Sequence, residues 1–300
     1  VSVIDTAAFP HSLAFTSDAN MFSAYYTYLV YCKDNGDGDD IHFARSIDQG
    51  TTWQPEYPLA EIAVPDRGYF WPRISVGHGG YVHVVWFLGF PIDHEYDDAL
   101  RYRRCEDYAS GGQAAWDNME SLSSHLNDID EWRPTIVASP TTPDVIIVDE
   151  RRTHPPDGDW SYDGIDVWSS SDEGQTWDHE TAHGTGAPVI LDDALCDVEN
   201  ARWLIALNEG HWGYRSAPLA DPGTLGAFNY FDDTFASSGA PALVIDTSQD
   251  HRVGAVGGRA GVGEYCWMFD AEWRSDPGYP VTEEGFPIDF YSAPTGDPAV

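Results

Sequence analysis

Ser46-Ile47-Asp48-Gln49-Gly50-Thr51-Thr52-Trp53 and Ser170-Ser171-Asp172-Glu173-Gly174-Gln175-Thr176-Trp177 share the pattern S-x-D-x-G-x-T-W. In such an octapeptide the aspartate accepts backbone N–H bonds inside a tight turn, and the glycine supplies positive φ. The threonine and tryptophan start a returning strand, and the indole is a wedge beneath the hairpin. The pattern therefore reads as a staple for a β-hairpin, not as a reaction centre. Between the two copies lies an eroded third, in which Ser110, Gly111, Gly112 and Trp116 survive. Tryptophans 53, 116 and 177 are thus 63 and 61 residues apart, and self-similarity at a fixed step is the mark of a repeat architecture.

The flanks keep the same step. Trp71-Pro72-Arg73-Ile74 precedes the apolar run Tyr81–Trp86, and Trp132-Arg133-Pro134-Thr135-Ile136 precedes Val145–Val148; Pro72 and Pro134 are 62 residues apart. Short apolar runs separated by turn residues, with 28 Gly and 20 Pro, predict many short strands rather than helices. Beyond residue 191 the repeat weakens. Ala201–Leu207 is expected as a strand of a fourth unit, and Pro241–Asp246, Arg252–Val256 and Gly263–Phe269 as strands of a fifth.

The octapeptide resembles the Asp box of the sialidase-like, or BNR-repeat, β-propellers. The order of flanking strands resembles that family too, well over residues 10–191 and loosely over 192–300. The resemblance implies an all-β propeller of four-stranded antiparallel blades, five or six in number, over residues 1–283. Residues 284–300 form a tail whose stretch Phe286-Pro287-Ile288-Asp289-Phe290-Tyr291 either latches the ring or pairs with a neighbouring molecule. The internal latch is favoured, because closing a ring costs less entropy than association.

Blade geometry sorts the residues. The boxes (Ser46, Asp48, Gly50, Trp53 and Ser170, Asp172, Gly174, Trp177) fall on the bottom face, away from the mouth where the family's active sites sit. Function is expected in the top loops. Three of these are acidic, namely Asp34-Asn35-Gly36-Asp37-Gly38-Asp39-Asp40, the stretch from Asp93 to Asp98, and Asp157-Gly158-Asp159 with Asp163 and Asp166. Carboxylate-rich, glycine-containing loops suit Ca²⁺, with Asp37, Asp39 and Asp40 as ligands, although none has the EF-hand pattern and solvated loops are the alternative. No cofactor is required by the reading.

Arg73, Arg133, Arg151 and Arg152 are expected near the inner top edge, where they either hold a substrate carboxylate or pair with neighbouring acids. Trp71 stands beside them as a ring suited to a sugar face, against a background of core aromatics. The resemblance to sialidases implies Asp34 as the acid–base carboxylate and Glu199 as the partner of a nucleophilic tyrosine. The family's first-blade arginine, however, should fall within His11-Ser12-Leu13-Ala14-Phe15, which has none. That departure disfavours a true sialidase.

Composition narrows the partners. Fifty acidic residues face 15 basic ones, of which Lys33 is the single lysine, and the net charge is −35. Such a field repels nucleic acid and anionic membranes at low salt. Adaptation to salty surroundings and cation binding both account for it, and the first is favoured. No apolar run is long enough to span a bilayer. Cys32, Cys105, Cys196 and Cys266 occur singly, so they are read either as two disulfides, slightly favoured, or as small buried residues. Together these features give a secreted or surface-displayed binding or structural module, with a glycan or cell-surface partner. A sialidase-like exo-glycosidase is the alternative, and a subunit of an extracellular assembly the third reading.

Overall fold

The structure is a computed structural model. It describes residues 8–18, 26–34, 38–48, 50–62, 67–89, 99–105, 116–123, 129–153, 161–183, 190–198, 200–208, 212–230, 242–246, 252–259, 263–269 and 279–280. Among the described residues, twenty strands run in sequence order as five four-stranded meanders. Blade 1 is β1 (Ala8–Asp18), β2 (Tyr26–Asp34), β3 (Gly38–Ser46) and β4 (Tyr57–Ala60). Blade 2 is β5 (Arg67–Val76), β6 (Val82–Gly89), β7 (Ala99–Cys105) and β8 (Glu120–Ser121). Blade 3 is β9 (Ile129–Ala138), β10 (Val145–Thr153), β11 (Ser161–Ser170) and β12 (Asp178–His183). Blade 4 is β13 (Ile190–Asp197), β14 (Arg202–Asn208), β15 (Trp212–Pro218) and β16 (Asn229–Tyr230). Blade 5 is β17 (Ala242–Asp246), β18 (Arg252–Arg259), β19 (Gly263–Phe269) and β20 (Tyr279–Pro280). The tail from residue 284 lies outside the described residues.

The first strands β1, β5, β9, β13 and β17 are inner strands, each packed beside the next. Blades 1 and 2 are also joined by hydrogen bonds. The upper end of β3 pairs in parallel with β5 through Gly38↔Arg67 and Asp39↔Gly68, which makes one eight-stranded sheet. The middle residues of β2, β6, β10 and β14 are buried on both faces, and blades 2 and 3 each pack between two others. All eight residues of β6 are buried, which is why Val-His-Val-Val-Trp-Phe-Leu-Gly does not alternate in polarity. Residues Val84, Trp86 and Leu88 of β6 meet Tyr28, Val30 and Phe43 of blade 1. Val85 with Leu100 and Tyr102 of β7 meets Ile136, Val145 and Ile147 of blade 3. Ile146, Val148 and Val167 meet Trp203, Ile205 and Leu207 of blade 4.

The two octapeptides form the same turn. In each, the serine hydroxyl donates to the aspartate (Ser46 and Ser170, both 2.8 Å) and accepts the glycine N–H (Gly50 and Gly174, both 2.8 Å). The other aspartate oxygen accepts the threonine hydroxyl, at 2.7 Å from both Thr52 and Thr176. Gly50 and Gly174 have φ of 79° and 76°. Two of the three tryptophans then bridge blades. Trp116 meets Phe43 of blade 1 edge-on at 5.1 Å and donates to the Tyr57 hydroxyl, and Trp177 meets Tyr102 of blade 2 edge-on at 4.9 Å. Trp53 packs with Leu29, Tyr31 and Ala44 on the side of blade 1 turned away from blade 2.

Replacing Asp172 by Ala removes the acceptor for Thr176 and Gln175 N–H and for two hydroxyls. A loss of about 1–3 kcal/mol in denaturant unfolding is expected, with ligand binding by the folded protein unchanged. Burial pushes the Asp172 carboxyl upward, but the bonds from Thr176 and Ser170 win and hold it below its ordinary 3.8. The carboxylate's contribution is therefore present above pH 3.8 and is lost as pH falls through the lower folded value.

The cysteine reading is corrected. Cys32, Cys105 and Cys196 are buried thiols rather than halves of disulfides. Each fills a small gap in an inter-blade cluster, and burial pushes the Cys196 thiol up to about 12. The side chain of Cys266 lies outside the described residues.

Candidate functional site at the upper mouth

The inner strands begin at the upper end of the molecule, and β1, β5, β9 and β13 are each interrupted there. In β5 the register against β6 shifts between Phe70↔Phe87 and Arg73↔Val85, leaving Trp71 and Pro72 opposite Trp86. In β9 it shifts between Trp132↔Glu150 and Thr135↔Val148, leaving Arg133 and Pro134 opposite Asp149. In β13 the shift falls at Asp192, between Leu191↔Leu207 and Asp193↔Ala206. In β1 it falls between Ala8 and Leu13, a stretch that holds Pro10. Pro10, Pro72 and Pro134 are each 62 residues apart, so the bulge is a property of the repeat.

Trp71 and Arg133, each just before its proline, take φ of 47° and 50°. Proline bars the preceding residue from the right-handed helical region, and its ring cannot donate to the ladder. A left-handed conformation costs a residue with a β-carbon about 1–2 kcal/mol. Both residues bear that cost at equivalent places on neighbouring strands. Bulges re-aim side chains, and strain of this kind gathers at functional sites. Trp71 is half-buried, with its ring centroid 5.9 Å from both Phe70 and Phe87. Arg133 is exposed. A supported indole can stack on a sugar ring, and an exposed guanidinium on the neighbouring inner strand can donate to sugar oxygens.

Two buried acids brace this end. Asp149 accepts the Trp168 indole N–H at 3.1 Å, and Glu150 accepts the Leu191 N–H of blade 4 at 2.8 Å. Both side chains are fully buried, and each accepts a hydrogen bond from another strand. They follow Val145–Val148 directly in sequence, where periodicity carries no sign of what they bond.

The remaining candidates separate. Asp34 ends β2 at the upper rim and is exposed, opposite Asp39. Arg73 is half-buried, with a long 3.4 Å contact to the Pro72 carbonyl. Arg151 turns outward along blade 3, donating to Thr181 at 2.8 Å and standing 3.7 Å from Asp166. Arg152 pairs with Asp130 and Tyr162 in the ladder, and its side chain lies outside the described residues. Asp40 is buried and accepts the Ile62 N–H at 2.8 Å. Asp37 and Glu199 lie outside the described residues. Among the described residues no three His, Cys, Asp or Glu side chains converge as a metal site, and no helix is long and apolar enough to cross a membrane.

No protein-family model and no curated protein matches the chain. Solved structures do. A leech intramolecular trans-sialidase superposes with a TM-score of 0.62 at 10% identity, covering 88% of this chain and 58% of its own. The fold is a β-propeller. An α-L-arabinofuranosidase from Fusarium graminearum gives 0.59 at 13% identity, covering 87% of this chain and 77% of its own. A Hadza microbial sialidase gives 0.54 at 15% identity, covering 89% and 59%. The chain thus spans about three-fifths of the sialidase chains it resembles, and at these identities the likeness is one of fold.

Proposed function

We propose that the upper mouth of this propeller binds and cleaves a glycan, as a secreted or surface-displayed exo-glycosidase of the sialidase-like, Asp-box type. The observation that carries this reading is the pair Trp71-Pro72 and Arg133-Pro134, strained alike on adjacent inner strands. In this reading Trp71 stacks on a sugar ring and Arg133 donates to its oxygens. Asp34 at the rim is the carboxylate for proton transfer, as the resemblance implies, whereas the neighbours of Glu199, Val198 and Asn200, follow the lower end of β13, so Glu199 is not part of this reading. The glycosidases sharing the fold add weight.

A second reading, glycan binding without cleavage, draws support from the outward turn of Arg151 and from the lack of arginine at residues 11–15. One experiment separates them. The protein is tested for binding to a glycan array and for release of sugar from aryl sialosides, arabinofuranosides and hexosides. Trp71→Ala is expected to weaken binding about tenfold, the worth of one stacked ring. Asp34→Asn is expected to abolish turnover and keep binding. Binding without turnover selects the second reading, and a wild-type protein that binds no glycan ends both.

A further inference from the structure

Away from the mouth, a polar chain crosses the lower end of the junction between blades 2 and 3. Glu173, in the octapeptide turn of blade 3, has φ of 60° and is 8% exposed. One carboxyl oxygen lies 2.9 Å from His78 Nδ1, in the 3-10 turn His78–Gly80 of blade 2. The other lies 4.0 Å from Nε2 of His83, whose side chain is wholly buried in β6. Nδ1 of His83 is 2.7 Å from the Tyr102 hydroxyl, and Tyr102 carries Trp177 on its ring. Arg104 donates to the Glu173 carbonyl at 2.8 Å and to Asp117 at 2.6 Å. His83 Nε2 and its facing Glu173 oxygen have no hydrogen-bond partner among the described residues. The gap between them is one short shift from a bond.

We infer that His83 and Glu173 make the junction of blades 2 and 3 an acid-opened clamp, in which docking of the blade 3 turn requires a neutral His83. The surroundings of the imidazole disfavour its charged form. It is out of water, with one nitrogen engaged by Tyr102 and the Arg104 guanidinium near. The charged groups at the junction are Arg104, His78 and Glu173, with Asp117, Glu120, Asp144 and Asp172 farther out. Glu173 is the carboxylate placed to compensate a charged His83. Burial raises its carboxyl above the ordinary 4.5, against the pull of the His78 hydrogen bond. Burial, helped by Arg104, pushes His83 down to about 3. On acidification Glu173 therefore becomes neutral before His83 accepts a proton in the docked state, so the compensating charge is gone when it is needed.

The sign follows from linkage. A docked imidazole at about 3, against 6.5 when released, contributes fully above pH 6.5 and loses its contribution as pH falls toward 3. Each pH unit in that window shifts the docking equilibrium about tenfold toward release. Glu173 works the other way over a narrower window, between its raised value and 4.5. The histidine, with the larger displacement, decides the direction.

Backbone hydrogen exchange from pH 7 to pH 4.5 reads the clamp directly. In the wild type, protection of residues 77–89 and 170–177 is expected to fall ahead of β13 and β14. In His83→Asn, which keeps a partner for Tyr102 but takes no charge, the midpoint is expected to move down by about one pH unit or more. An unchanged midpoint, or loss of protection at the same pH in all blades, overturns the inference. Should His83→Asn fail to fold, imidazole NMR of the wild type decides. Titration of His83 only as protection is lost supports the clamp, and titration near 6.5 with protection intact overturns it. Neither outcome depends on whether the mouth binds a glycan.

Discussion

Gly174→Ala is expected to destabilise the protein by about 3–5 kcal/mol, whereas the equivalent change Gly50→Ala should cost about 1 kcal/mol. The two glycines occupy the same turn, with φ of 76° and 79°. Their surroundings differ. A β-carbon at 174 would stand 2.0 Å from the Tyr102 hydroxyl, while one at 50 would meet nothing nearer than Trp53 at 3.7 Å. Tyr102 cannot easily yield, since it is 1% exposed, bonded to His83 and capped by Trp177. The backbone penalty is thus common to both sites, and the clash belongs to one. Urea unfolding of the two variants measures the contrast directly. Equal losses would mean that the blade 3 turn is not pressed against blade 2.

Glu150→Ala should be comparably severe, at about 3–5 kcal/mol, and Glu150→Gln much milder. The Glu150 side chain is fully buried and receives the Leu191 N–H across the gap between blades 3 and 4. Alanine removes the acceptor, strands a buried donor and opens a void beside the bulge at Asp192. Glutamine retains an amide oxygen of nearly the same reach. If alanine and glutamine proved equal by thermal unfolding, the staple between β10 and β13 would have no energetic weight.

The sequence is legible where the repeat speaks. Two octapeptides sixty-odd positions from the eroded copy at Trp116 announce hairpins, and the structure places a four-stranded blade around each. The weaker strands proposed after residue 200 are there as β14, β17, β18 and β19. What periodicity does not report is the company a side chain keeps across blades. Asp40 looks like a calcium ligand in a run of acids, yet one of its oxygens takes the Ile62 N–H. Arg151 looks like a mouth residue by its place in β10, yet its guanidinium reaches outward to β12. Glu173 occupies a variable place in the octapeptide, and its imidazole partner is 95 residues away. The paired Trp71-Pro72 and Arg133-Pro134 were visible as a repeat of prolines. That they mark bulges with positive φ emerges only once β6 and β10 are laid beside them.

The parallel seam between β3 and β5 has a mechanical consequence. Blades 1 and 2 share backbone hydrogen bonds, whereas the junctions from blade 2 to 3 and from blade 3 to 4 are described through side chains and isolated turn contacts. Under tension applied through the chain ends, blade 4 and blade 3 should peel away as separate events. The first two should rupture together in one larger step, because their seam lies in shear along the strands instead of opening bond by bond. The described blades are thus a series of unequal links, with the stiffest pair at the amino-terminal side.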